Sequence, residues 1–476
     1  MAALLLVGLT LWTPTARADL FERTWCELTT PGFRLLTDRP RSEAEARAER
    51  LALFRPVAER YLPGVANARD PALRIVLFER GGDFRRATRG SGALGFMQAS
   101  LAENLLVVGP DPLADNHQET LLHEYVHYLL RSRSGLHLPA WFDEGMASLL
   151  GAAEFDDDGI GIGRMPTDHL TATIDAANLS LTQVLEAEDL WRWRGQRRQA
   201  FYAWAWLLSH RLTLGQVAGW PDHREAVRGF LGAAGSNLPD ALGTSAAALQ
   251  RELARYARRR AVTEHHALPS APPAATRYRC LTEPERSTAL AVTLLPNRPG
   301  LAVRRLQAQA VQHPDSVALW VALSQAAEAA DDAELAISAA RQAHTLDGAD
   351  VDGAVQLASA LAMGCILRVS DPCRDRWREG VPLLRRALAA DPYRHDAVFL
   401  LGLAYLYSGQ PGQALNYLRI AHGRQPWAAH VNFYLGESYR LIGDTRARAH
   451  LSRARDWSSV ALWRHLAETA LAGLDA

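Results

Sequence analysis

Residues 123–130 read HEYVHYLL, and residues 138–150 read LPAWFDEGMASLL. Leu121, Leu122, Val126, Leu129 and Leu130 recur at helical spacing through the first stretch, so it predicts an amphipathic helix with buried faces. On such a helix positions i and i+4 share a face one turn apart, and His123 and His127 can turn two imidazole nitrogens toward one ion. Glu124 sits beside the pair without joining it. Pro139 opens a second helix, and a short turn between two antiparallel helices would return Glu144 to the histidines. A catalytic zinc site uses three protein ligands and leaves one position open, and two imidazoles with one carboxylate supply that set. One Zn2+ per chain is therefore expected. Two other residues compete for the third place. His137 follows in the turn, and Asp143 would point about 100° around the helix from Glu144. Both read as structural or surface residues.

These two stretches resemble the gluzincins, and in particular the peptidase-MA-like group, in which H-E-x-x-H is followed by W-x-x-E-G-x-A. Trp141, Glu144, Gly145 and Ala147 stand in those places. The resemblance covers 92–150 well and 19 to about 260 loosely. It implies an α+β thermolysin-like zincin catalytic domain that hydrolyses peptide bonds, with zinc on His123, His127 and Glu144 and with Glu124 as general base. Related chains often carry a carboxylate about one turn after the glutamate ligand, to orient a metal ligand; here Ser148 stands there, a departure. In aminopeptidase-type gluzincins a tyrosine well downstream stabilises the oxyanion. Tyr202 is the candidate for that role, although Trp204 and Trp206 beside it are equally consistent with a core position, and His210 is a weaker substitute. The substrate backbone would pair with a strand at 93–100, ALGFMQAS, just before the zinc helix.

The rest of the first half reads as α+β. Strands are expected at 33–37, 73–78 and 104–108, and a helix at 42–61. Residues 265–275, HHALPSAPPAA, read as a Pro- and Ala-rich linker. Beyond about residue 298 the pattern turns helical with a period of 34 residues. Leu401, Gly402, Tyr405, Ala414, Ala421 and Pro426 occupy repeat positions, and Leu435, Gly436 and Tyr439 recur one period later. An earlier unit holds Trp320, Leu323, Ala336 and Ala343, and a unit with an insertion of about ten residues lies between. This half resembles tetratricopeptide (TPR) proteins, which implies an all-α solenoid with a protein-binding surface. The division expected is 1–18 signal peptide, 19–266 catalytic domain, 267–297 linker and 298–476 TPR-like repeats.

Among the 476 residues, 52 arginines balance 52 carboxylates and lysine is absent, so no electrostatic case exists for nucleic acid as a partner. Ala2–Trp12 is apolar but too short to span a bilayer, and Ala16-Arg17-Ala18 supplies a small-x-small cleavage signature, so an exported chain, periplasmic or secreted, is expected. No transmembrane segment is expected in the mature chain. Four cysteines suit an oxidising compartment. Cys365 with Cys373 is the nearer pair, and Cys26 with Cys280 would tie the mature N-terminus to the linker. The reading is an exported zinc metallopeptidase that takes a peptide or protein substrate, with a protein partner on the repeat surface. The alternative is a catalytically inactive peptidase-like TPR scaffold or adaptor.

Overall fold

The computed structural model describes residues 20–475 apart from 63–71, 90–93, 111–116, 134–137, 166–178, 188–189, 191–192, 233–236, 260–261, 269–275, 364, 366–370 and 459. The expected signal peptide, His137 and the Pro-rich stretch at 269–275 lie outside the described residues.

The first half opens with β1 (Cys26–Thr29), β2 (Arg34–Thr37), α1 (Arg41–Ala58), β3 (Leu73–Leu77), α2 (Gly81–Ala87), β4 (Gly95–Gln98) and β5 (Asn104–Val108). The three strands and the helix expected from the sequence are β2, β3, β5 and α1. The β2–β3 and β3–β5 pairs are parallel, and β4 closes one edge antiparallel to β5. Side chains alternate across a strand. Leu35, Ile75, Leu77, Leu106 and Val108 therefore turn to one face, against α1 and the helices that follow. Leu36, Val76, Leu105 and Val107 turn to the other. Both faces are covered, which is why LRIVL and NLLVV are nearly continuous apolar runs rather than alternating ones.

Two helices come next, α3 (His117–Arg133) and α4 (Ala140–Gly151), then a hairpin of β6 (Glu154–Asp156) and β7 (Gly159–Ile162). The helices α5 (Leu181–Leu185), α6 (Gly195–Leu214), α7 (Arg224–Gly232), α8 (Leu238–Ala241) and α9 (Ala246–Ala257) lead to β8 (Glu264–His266), which pairs with β7 in a second, three-stranded sheet.

One expectation fails at this point. The span 267–297 is not simply a linker: it contains β9 (Arg277–Cys280) and α10 (Glu283–Leu294). β9 is the sixth strand of the main sheet, antiparallel to β1 with Cys26 opposite Cys280, and a disulfide joins those two residues. A four-residue RYRC segment has no strand signal of its own; its partner lies at the other end of the half. α10 packs on the second face of the sheet, where Leu290 and Leu294 meet Leu36, Val76 and Val107. Each such buried side chain is worth roughly 1.5–3 kcal/mol, so this face cannot be bared cheaply.

The second half continues with α11 (Pro299–Gln312), α12 (Val317–Ala329), α13 (Ala333–Leu346), α14 (Val351–Ala362), α15 (Asp371–Ala390), α16 (His395–Tyr407), α17 (Pro411–Arg424), α18 (Ala429–Leu441), α19 (Arg446–Asp456) and α20 (Ala461–Asp475). From α12 to α19 the helices form successive hairpins whose first members start at Val317, Val351, His395 and Ala429, steps of 34, 44 and 34 residues. The longer step holds the Cys365–Cys373 disulfide. At Gly402 a Cβ would stand 2.8 Å from Leu418, and at Gly436 it would stand 2.8 Å from Leu451, so the repeat places glycine where paired helices touch. This half is an all-α repeat array. Among the described residues, no helix is long and apolar enough to cross a membrane.

Candidate metal centre

α3 and α4 pack in opposite senses. His127 meets Asp143 near the start of α4, while the end of α4 reaches back to His123, where a Cβ on Gly151 would lie 3.0 Å from the His123 backbone. Trp141, Phe142, Met146, Leu149 and Leu150 bury α4 in the core, and that leaves Glu144 on the side facing the histidines. Gly145 does not face α3. Its close neighbour is α6 instead: a Cβ there would stand 2.4 Å from the Ala205 carbonyl oxygen and 2.3 Å from Ser209 Oγ.

Nε2 of His127 lies 3.2 Å from Nε2 of His123. Glu144 Oε2 lies 3.4 Å from the latter and 3.6 Å from the former. Ligands bound at about 2.0–2.1 Å in a tetrahedron are about 3.3 Å apart, so the three atoms have the spacing of one face of such a tetrahedron. Glu144 Oε2 is buried and accepts no hydrogen bond, an orphaned acceptor aimed at the point the two nitrogens share. The fit to a small cation is good. Among the described residues, His123, His127 and Glu144 form the one cluster of this kind.

His127 Nδ1 is 2.9 Å from Asp143 Oδ1, and the other Asp143 oxygen accepts from the Arg131 guanidinium at 3.2 Å. In the neutral imidazole, with Nδ1–H donating to the carboxylate, the Nε2 lone pair would face the shared point. The sequence left the orienting group open, with Ser148 where related chains carry a carboxylate, and read Asp143 as surface or structural. In the structure the carboxylate against His127 is that of Asp143. A signal was present, since Asp143 and Arg131 are charged residues on helices with buried faces, but which way Asp143 faces depends on how the two helices cross.

Burial by itself would lower the His127 pKa, yet the Asp143 and Glu144 carboxylates raise it well above the ordinary value. Burial would likewise raise Asp143, but His127 and Arg131 hold it down at about 2. Glu144 is also held low against burial, mainly by His127. These carboxylates are negative in a partly enclosed site, as a cation requires. Glu124 differs: burial pushes its carboxyl up, with only partial compensation from the two histidines. Its side chain lies against β4, where a Cβ on Gly95 would come 3.1 Å from Glu124 Cγ.

Tyr202 lies three residues before Ala205 and so shares the α6 face that meets α4. It is half-buried, and burial together with the negative charge of Glu144 pushes its hydroxyl up to about 12. The weaker substitute, His210, is ruled out. It is fully buried, 2.7 Å from the Tyr256 hydroxyl and 3.0 Å from the Val262 carbonyl, and burial lowers its pKa to about 4. It is a satisfied core histidine. The expected substrate strand is β4, at the edge of the sheet beside α3.

No family model and no curated protein matches the chain. Solved structures match part of it. A thermophilic TPR protein of Thermus thermophilus (TTC0263) is 16% identical over 40% of this chain and 99% of its own, with a TM-score of 0.34. A MamA protein is 18% identical over 36% of this chain and 91% of its own, TM-score 0.28. Pseudomonas aeruginosa pilF is 18% identical over 40% and 84%, TM-score 0.33. Scores of this size carry no argument by themselves. The repeat architecture rests on the chain's own helices, and the peptidase resemblance rests on its own residues.

Proposed function

We propose that the chain is an exported zinc-dependent metallopeptidase of the gluzincin type whose repeat array binds a protein partner or presents substrate. The spacing of three ligand atoms at 3.2, 3.4 and 3.6 Å carries this reading. His123, His127 and Glu144 would hold one Zn2+, which supplies Lewis-acid activation of water and of the scissile carbonyl. Glu124, a carboxyl lifted by burial toward the operating pH, takes the proton of the attacking water and returns it to the leaving amine. Tyr202 donates to the developing oxyanion. The β4 edge pairs with an extended substrate backbone. Two disulfides among four cysteines support export to an oxidising compartment.

A second reading is a catalytically inactive peptidase-like scaffold in which the repeats do the work. The repeat array of α12–α19, built from the chain's own helices, serves that reading with no catalytic step. Casein hydrolysis by wild type and by Glu124→Gln, at equal zinc content, tests the choice. The peptidase reading expects cleavage by wild type alone. Equal cleavage by both would remove Glu124 as the base, and a zinc-loaded wild type inert toward a panel of unfolded proteins would favour the scaffold.

A further inference from the structure

Resting on the metal-site reading above, we infer that Arg131 is a positioning residue through which the repeat half holds the metal centre in shape. Arg131 lies one helical turn beyond His127 and two beyond His123, on the same face of α3. Its guanidinium donates to Asp143 Oδ2 at 3.2 Å and reaches Met97 Sδ of β4 at 3.6 Å. Its backbone carbonyl accepts the indole N–H of Trp427 at 3.3 Å. One residue thus touches the group that orients a proposed ligand, the proposed substrate strand and the repeat half.

Each contact answers a local need. Asp143 could rotate about its Cβ–Cγ bond with only His127 as partner; Arg131 engages the second oxygen and fixes the carboxylate plane. The last four carbonyls of a helix have no intrahelical donor, and α3 ends at Arg133, so the Arg131 carbonyl is one of these. Trp427, in the turn between α17 and α18, supplies that donor from the far half of the chain. Leu101, which follows β4, packs against Ala421, Ala428 and Val431 of the same repeats. A cleft of about 420 Å³ opens along this junction, walled by Arg131, Asp143, Trp427, His430 and Trp463. The repeats therefore clamp the C-terminal end of the zinc helix, and anything that shifts Trp427 is felt at Asp143 and His127.

The test uses the full-length chain. Zinc transfer to a chromophoric chelator is timed for wild type, Arg131→Gln, Arg131→Lys and Trp427→Phe, and the visible absorption of each Co2+-substituted protein reports ligand geometry. Trp427→Phe keeps an aromatic six-membered ring and removes the Nε1–H donor together with the five-membered ring. Arg131→Gln should release zinc about tenfold faster or more, in line with the cost of losing an outer-shell partner. Arg131→Lys, which keeps a donor for Asp143, should recover part of that loss. Trp427→Phe should speed release severalfold and shift the cobalt bands, and its effect should shrink when it is combined with Arg131→Gln. Release and spectra identical to wild type in Arg131→Gln and Trp427→Phe would overturn the inference. A His127→Ala variant, run alongside, separates the two levels. If it loses zinc while those variants behave as wild type, the coupling alone is wrong. If it retains zinc like wild type, the metal-site reading fails and takes the coupling with it.

Discussion

Asp143 Oδ1 stands 2.9 Å from His127 Nδ1, one residue before the carboxylate that completes the proposed ligand set. Adjacent residues on α4 thus take different places: Glu144 faces the point shared with the two histidines, and Asp143 meets the far side of the His127 ring. Asp143→Ala should weaken zinc binding about 10–100-fold, the usual cost of removing an outer-shell partner, while Ser148→Ala should leave it close to wild type. Competition with a chelator measures both. A loss confined to Ser148→Ala would reverse the assignment.

The oxyanion role proposed for Tyr202 predicts a separation of parameters. Tyr202→Phe should lower kcat about 10²-fold, leave KM nearly unchanged and leave zinc content intact, because one donor used in the transition state is removed. Steady-state kinetics on any peptide the wild type cleaves checks this. An unchanged kcat would return Tyr202 to the core it half occupies.

The cluster of His123, His127 and Glu144 was legible in the sequence and the residues packed around it were not, for a physical reason. His123 and His127 are tied by helix period, and Glu144 by the few residues that separate two helices in sequence, so local geometry brings them together. Asp143 and Arg131 matter through the crossing of α3 and α4, which no local pattern records. The 34-residue period survives in Gly402 and Gly436 because each repeat solves the same packing problem. β9 left no trace, since RYRC becomes a strand only through pairing with Cys26–Thr29. Its pairing, and the cover that α10 gives the sheet, joins halves that composition alone separates at the Pro-rich stretch.

Gly145 offers a stability test. A methyl group at this position would meet the Ala205 carbonyl and Ser209 Oγ inside van der Waals contact, so α6 must move off α4. Gly145→Ala should cost about 1–3 kcal/mol or more. Gly229→Ala, in α7 with nothing within 4 Å of the added Cβ, should be neutral or stabilise by up to about 1 kcal/mol. Thermal unfolding of the two variants should move in opposite directions or differ by several degrees.

In the repeat half, Glu328 of α12 accepts from Gln356 at 2.9 Å and from Ser359 at 3.2 Å, and burial lifts its carboxyl to about 7. Its folded pKa lies above its unfolded value, so the folded chain holds the extra proton and the resulting stability is complete only below about pH 4.5. That stability is lost as pH rises through about 7. Glu328→Gln, which cannot ionise, should therefore gain on wild type between pH 5 and pH 8, by about 2 kcal/mol at the alkaline end. Denaturant unfolding at the two pH values checks it. A difference independent of pH would contradict the assignment.

Zinc per chain is the most direct measurement of the central claim. The mature protein, purified without a metal-affinity step, is analysed for metal beside His127→Ala. The account predicts one zinc per wild-type chain and close to none in the variant. No zinc in wild type, or undiminished zinc in His127→Ala, would contradict it.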